Sequence, residues 1–363
     1  MNQQSLKAAL LLAGALAATG ARAEDDDRRW QFGGFGTVGA VFADTDQARF
    51  RSSPRQSRGA ARTPDLGVDS RLGLQGSGQL NETFSAVGQL LASRRDGDER
   101  LQVEWLFAQA SATHWLDLRA GRMVLPVFLA SDTRNVGYSA HWARAPSEVY
   151  GIYAPTAFDG AQAVLRGEWA ATHFTLQMSA GNAHSRLFYL GANGGIDIHA
   201  LRSINLVAER GDWTARLGRT TSNTTLTGLP GNGALPFIDR FSGVGIARDD
   251  GRLLLQAEYV RRHTSDQRPD SSNYYGTAGY RLGDWMPFTT YSHRDSAGVA
   301  QPNNQPTATV AAGLRWDAMR NVAIKAQLES TQNNSLNFAN ATPAFAAASD
   351  RVKVVTLLVD FVF

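Results

Sequence analysis

Gly34-Phe35-Gly36-Thr37-Val38-Gly39 has the G-x-G-x-x-G spacing of a dinucleotide-binding turn. That chemistry needs the glycines between a strand and a helix whose N-terminus holds a pyrophosphate. No helical periodicity follows here, so they read as small residues of a strand, on a wall or at a subunit contact. Seven histidines (His114, His141, His173, His184, His199, His263 and His293) are scattered without H-E-x-x-H or other metal-ligand spacing. No G-x-S-x-G elbow occurs. Ser179 and His173 fall on one face of one expected strand, with no third group beside them. The chain has no cysteine, which removes thiolate nucleophiles and thiolate metal sites. Neither an enzyme nor a cofactor or metal site is expected.

The remaining polar chemistry is charge laid out with a period of two. Val355, Leu357, Val359, Phe361 and Phe363 fall on one face of the last segment, and Thr356, Leu358, Asp360 and Val362 on the other. The pattern recurs in Leu66-Val68-(Ser70)-Leu72-Leu74, Leu101-Val103-Trp105-Phe107, Phe174-Leu176-Met178, Leu253-Leu255-Ala257-Tyr259 and Val322-Ile324-Ala326-Leu328. Alternation puts Arg71, Arg119, Arg166, Arg216, Arg281, Arg315 and Lys325 on the polar face. The same face carries Asp69, Glu104, Asp117, Glu209, Glu258, Glu329 and Asp360, so its charge is balanced.

What positions these residues follows from the whole chain. Lys7, the apolar run Ala8 to Ala18 and Ala21-Arg22-Ala23 read as a secretory signal over residues 1–23. The 36 basic residues less Lys7 and Arg22 leave 34, against 33 acidic, and so favour no charged partner such as nucleic acid. Beyond residue 18 no apolar run is long enough for a membrane helix. Short and long links alternate. The short ones are near Leu80-Asn81-Glu82, His114, Gly167-Glu168, Gly211-Asp212, Asp249-Asp250-Gly251, Gly283-Asp284 and Asp317-Ala318-Met319-Arg320. The long ones span 43–65, 94–100, 123–156, 182–200, 223–240, 264–272, 296–306 and 333–350. Seven short and eight long links predict 16 strands over one domain, 24–363. The expected fold is all-β: a closed antiparallel transmembrane β-barrel with polar lumen and apolar exterior. Gly167-Glu168-Trp169, Gly211-Asp212-Trp213 and Gly283-Asp284-Trp285 repeat a turn with a Trp opening the next strand, and His114-Trp115 is a looser copy. Trp115, Trp169, Trp213, Trp285 and Phe363 are therefore expected in an aromatic girdle at a membrane boundary.

Ser70-Arg71-Leu72-Gly73-Leu74-Gln75-Gly76 with Gln79-Leu80-Asn81, Leu118-Arg119-Ala120-Gly121-Arg122, and the C-terminal run Val355 to Phe363 resemble the Gram-negative general porins. That resemblance implies an outer-membrane location among lipids and lipopolysaccharide, and a homotrimer. It implies a final strand read by the barrel-assembly machinery, and a long third loop, 123–156, folded into the lumen as a constriction. Arg71, Arg119 and Arg122 would form the basic wall, facing Asp132, Glu148 and Asp159. Strict alternation turns Arg122 outward, so its role there requires a break in register. Tyr150 and Tyr153 would also line the constriction. Arg49, Arg51, Arg55, Arg58 and Arg62 of the first long link would draw anions or bind lipopolysaccharide phosphates, or form a solvated loop. The expected function is passive diffusion of small hydrophilic solutes and ions with a weak anion preference. A solute-selective pore for sugars or small anions is the alternative, and a structural or adhesive barrel without conductance is another.

Overall fold

The computed structural model describes residues 29–95, 98–189, 192–228, 233–265, 270–295, 306–332, 337–347 and 351–363. The signal expected over 1–23 and most of the link expected over 296–306 lie outside these residues. Sixteen strands form the barrel. They are β1 (Trp30–Ala43), β3 (Arg71–Gln79), β4 (Phe84–Arg95), β5 (Asp98–Thr113), β6 (Leu116–Val124), β7 (Ala157–Trp169), β8 (Thr172–Tyr189) and β9 (Ala192–Arg210). The circle continues with β10 (Trp213–Thr227), β11 (Leu235–Asp249), β12 (Leu253–Thr264), β13 (Ser271–Tyr280), β14 (Trp285–Arg294), β15 (Thr307–Met319), β16 (Val322–Gln332) and β18 (Arg351–Val362). All neighbours are antiparallel, and β1 pairs with β18 to close the sheet. Two short strands, β2 (Arg49–Phe50) and β17 (Phe338–Ala339), pair in a separate two-stranded sheet.

Closure uses the early glycines. The Gly34 and Phe363 backbones exchange hydrogen bonds of 2.8 and 3.0 Å. A Cβ on Gly34 would strike the Phe363 ring, and one on Gly36 the Phe361 ring. The glycine spacing is thus a seat for two aromatic rings of the final strand, with strand on both sides and no helix.

Polarity is inverted relative to a soluble protein. Leu217, Leu255, Leu328, Val355 and Leu357 are exposed, whereas Arg216, Glu258, Lys325, Gln327 and Thr356 are buried. Such a wall suits lipid outside and polar groups inside.

Several expectations fail locally. The hairpins are longer than expected: 182–200 is almost entirely β8 and β9, and 223–240 is largely β10 and β11. Asn182, His184 and Arg186 replace apolar residues there, so the alternation fades while the ladder continues. Residues 66–70 precede β3, and Val68 is buried with Val41 and Phe50. A bulge between Gln89 and Leu90 in the β4–β5 register breaks the Leu101-to-Phe107 face. Leu101, Val103 and Leu106 are exposed, and Phe107 packs on the inner core. Trp169 ends β7 rather than opening β8, because the turn falls on Ala170-Ala171, both at positive φ.

Candidate pore constriction

Residues 125–156 join β6 to β7 and contain a 3₁₀ turn, Gly137–Ser139, and a short helix, Ser147–Tyr150. Most of the segment has no strand partner, so its amides and carbonyls need other partners. Inward side chains from distant strands supply them. Arg216 on β10 donates to the Pro126 carbonyl at 2.5 Å, and Arg262 on β12 to that of Ile152 at 2.9 Å. The Leu129 amide donates to Glu258 on β12 at 2.9 Å. Arg315 on β15 donates to the carbonyls of Tyr138 and Ala140, each at 2.7 Å. Lys325 on β16 donates to those of Gly137 at 2.6 Å and Trp142 at 3.1 Å. Gly137 lies so close to Asp360 and Thr37 that a Cβ would collide with both.

Two charged residues of the segment reach back to the wall. Arg144 places Nη2 2.5 Å from Asp69 and 2.6 Å from the Thr356 hydroxyl, and it also pairs with Glu329. Glu148 accepts from Ser292 at 2.7 Å and Thr309 at 2.6 Å. An apolar face completes the seat. Leu125, Phe128, Trp142, Val149, Tyr150 and Tyr153 share one core with wall residues Phe237, Phe241, Val260, Tyr275 and Phe288. Phe128 stacks on Tyr150 at 4.5 Å, and Trp142 meets Tyr275 edge-on at 5.7 Å. His141 is buried against Trp142 and Phe288. Desolvation, with Lys325 and Arg315 nearby, pushes its pKa down to about 3, so it is neutral at pH 7.

Between this segment, residues 52–56 and the ends of β3 and β4 lies a cavity of about 130 Å³ lined by Arg55, Arg71, Arg95 and Arg134. Arg95 pairs with Glu104 at 3.0 Å. Among the described residues no carboxylate lies within 4.0 Å of the Arg71, Arg119 or Arg134 guanidinium. Arg71 has only long contacts, 3.4 Å each, to Thr37 and the Arg134 carbonyl. Arg119 donates to Gln109 at 2.7 Å and Gln162 at 3.3 Å. Desolvation, with Arg95 beside it, lowers the Arg134 pKa to about 10, which leaves it charged at pH 7.

No family model matches the chain, and no curated protein matches it. Solved structures do. An outer-membrane-expressed OmpT of Vibrio cholerae is similar with TM-score 0.61 at 13% identity, over 94% of this chain and 99% of that one. An anion-selective porin from Comamonas acidovorans gives 0.59 at 13%, over 92% and 99%. OmpF of Salmonella typhi, solved with daunomycin, gives 0.56 at 14%, over 92% and 97%. The chain has the porin fold.

Within this porin-fold barrel the balanced charge tally has a physical origin: most wall charges pair with one another. Asp117 holds Arg166 at 2.5 Å, Asp317 holds Arg281 at 3.2 Å and Arg315 at 2.7 Å, and Asp360 holds Lys325 at 2.8 Å. Glu258 lies 3.6 Å from Arg216. Asp69 and Glu104 are occupied by Arg144 and Arg95.

The expected constriction residues divide. Arg71 and Arg119 sit beside polar partners of the inner wall. Asp132 is exposed by surface area, while desolvation raises its pKa against the pull of Arg119 and Arg216. Glu148 meets hydroxyls rather than arginines. Tyr150 and Tyr153 are buried in the core and present no open ring face to a solute. Arg122 and Asp159 contradict the expectation. No break in register occurs at Arg122: Asp117 and Met123 face inward and are buried, so Arg122 points outward. It pairs directly across the sheet with the outward Asp159 at 2.9 Å. Of the first-link arginines, Arg51 is buried and donates to the carbonyls of Pro54, Gln56 and Phe188, so it is structural. Trp115, Trp169, Trp213, Trp285 and Phe363 are all exposed near the short-turn ends, and Trp285 stacks on Trp316 at 5.0 Å. Ser179 and His173, six residues apart on β8, are separated by about 20 Å of strand and cannot share a proton.

Sequence patterning does not single out Arg134, Arg144 or Arg262. Within the 123–156 link, Arg134 and Arg144 lie between Asp132 and Glu148, and this mixture of charge is the one local mark they carry.

Proposed function

We propose that this chain is an outer-membrane pore through which small hydrophilic solutes and ions diffuse, with a weak preference for anions. The observation that carries the reading is a closed wall with apolar residues exposed outside and polar residues buried inside. In this reading the segment 125–156 is folded into the lumen and sets its narrowest part. Its hydrogen bonds to β10, β12, β15 and β16 support that, as does its ion pair with Asp69 before β3. The anion preference rests on Arg71, Arg119 and Arg134, which have no carboxylate within 4.0 Å among the described residues; Asp132 opposes them, so the preference is weak. Low-dielectric walls focus the field of such groups across a neck. The buried Tyr150 and Tyr153 lend no support to an aromatic track for sugars.

The first 23 residues would export the chain and the strand ending in Phe363 would address the assembly machinery. Three copies would form a trimer, a reading supported by a similar OmpT described in its trimer form. Reconstitution into planar bilayers tests the proposal. Stepwise conductance is expected, with a reversal potential of anion sign in a salt gradient. A barrel that inserts without conducting would sink the pore and favour a structural role; a cation sign would sink only the preference.

A further inference from the structure

We propose that the outer face of β9–β12 holds the phosphates of an anionic lipid headgroup through Arg202, Arg219 and Arg240. The inference rests on the outer-membrane reading and adds a site to it. All three side chains point outward: their strand neighbours Leu201, Thr220 and Asp239 are buried on the inner side. The register gathers them. Thr221 on β10 is opposite both Arg202 on β9 and Arg240 on β11. Arg219 is opposite Ile204 and Ser242, so it is the diagonal neighbour of Arg202 and of Arg240. His263 and Arg261 on β12 extend the patch, opposite Arg240 and Ser242. Diagonal neighbours on one face are about 7–8 Å apart, within reach of long side chains.

Carboxylates do not balance the patch. Asp270 takes Arg261 at 2.9 Å and His263 at 2.5 Å. Arg202, Arg219 and Arg240 have no carboxylate within 4.0 Å among the described residues. Like charges side by side on a sheet repel, and on a lipid-facing wall they are costlier still. A shared polyanion removes both penalties, and guanidinium forks match phosphate oxygens.

Height selects the source of the phosphate. Arg219 lies six residues beyond Trp213, and Arg261 eight beyond Leu253. In a strand tilted about 40° that is roughly 15–20 Å above the short turns, and extended arginines reach the upper border of an apolar band about 25 Å tall. Exposed Leu217, Val244 and Tyr259 lie just below, where acyl chains would run. The site therefore fits a phosphorylated lipid with its head at the outer interface, and it is a different site from the first-link arginines.

The test compares the wild-type barrel with R202Q/R219Q/R240Q and with R202K/R219K/R240K. Binding of lipid A carrying two phosphates, of the same lipid with its phosphates removed, and of inorganic phosphate is titrated by native mass spectrometry. The bisphosphorylated lipid should bind wild type, bind the lysine variant measurably, and bind the glutamine variant about 100-fold more weakly. Equal binding to wild type and the glutamine variant overturns the proposal. So does equal binding of the phosphate-free lipid, which would leave acyl contact alone, or of inorganic phosphate, which would remove the lipid. Should the glutamine variant fail to fold, loss of wild-type binding with rising salt supports the site and salt-independent binding overturns it. Conductance measured on the same protein separates the two readings: a barrel that binds the lipid but does not conduct loses the pore and keeps the site.

Discussion

Two arcs of the inner wall carry the same residue types and use them differently. From β10 to β18, Arg216, Arg262, Arg315 and Lys325 are paired with acids and donate to the backbone of residues 126–152. From β3 to β6, Arg71 and Arg119 hydrogen-bond to neutral partners, and Arg71 lines the cavity beside residues 52–56. In the proposed reading the first arc is a dock and the second a field. Alternation alone makes these residues equivalent; the partner each one meets distinguishes them.

The seat of the segment breaks most easily at the segment's own Arg144, which pairs with Asp69 and Glu329. Arg144→Met would leave Asp69 and Glu329 buried together without their cation, a loss of about 3–5 kcal/mol for a buried pair broken on one side. Denaturant titration should show that loss, and single-channel conductance should rise as the segment leaves its seat. An unchanged midpoint and unchanged conductance would mean that Arg144 does not anchor the segment.

Acid should loosen the same dock by a smaller amount. His141 has a folded pKa near 3 and an unfolded value near 6.5, so its neutral form is the seated one. Below pH 6.5 the unfolded chain binds a proton that the folded chain refuses, and stability falls with pH until about pH 3. The loss should reach about 2 kcal/mol by pH 5. Unfolding midpoints at pH 7.5 and pH 5 measure it, and His141→Phe should remove this component. A variant with the full wild-type pH dependence would assign the effect elsewhere.

The field arc should respond in selectivity while stability stays nearly constant. Arg71→Gln combined with Arg134→Gln removes two cations with no carboxylate within 4.0 Å among the described residues, and should lower the anion-to-cation permeability ratio by roughly twofold to threefold. Arg281→Gln, which removes a cation already paired with Asp317, should change the ratio far less. Equal shifts from the two variants would erase the distinction between the arcs.

The barrel was legible because each strand repeats one physical demand, apolar outside and polar inside, and turns punctuate it. Strand count, closure and the outward Val355-to-Phe363 face followed from that. The site was legible only in part. Alternation puts Arg71 and Lys325 on one face but does not encode that Lys325 is covered by the Gly137 and Trp142 carbonyls while Arg71 is left with weak contacts. The course of residues 125–156 is set by contacts distant in sequence, from 75 positions for Arg144 with Asp69 to 212 for Arg144 with Thr356, which no local pattern reports. The bulge opposite Gln89 misled in the same way, because one extra residue reversed the faces of half a strand.

The smallest expected effect belongs to the outward pair. Arg122 and Asp159 carry the charges expected of a constriction, yet their side chains are 36% and 58% exposed on the outer surface. An exposed ion pair contributes about 0–1 kcal/mol, so Arg122→Gln with Asp159→Asn should barely move the unfolding midpoint in detergent. Conductance and reversal potential should stay at wild-type values, because neither group faces the field arc. A selectivity change comparable to that of the Arg71 and Arg134 double variant would mean that the strand register at Gly121 differs in the membrane. Arg122 would then join the inner wall, and the partition between docking and field residues would have to be redrawn.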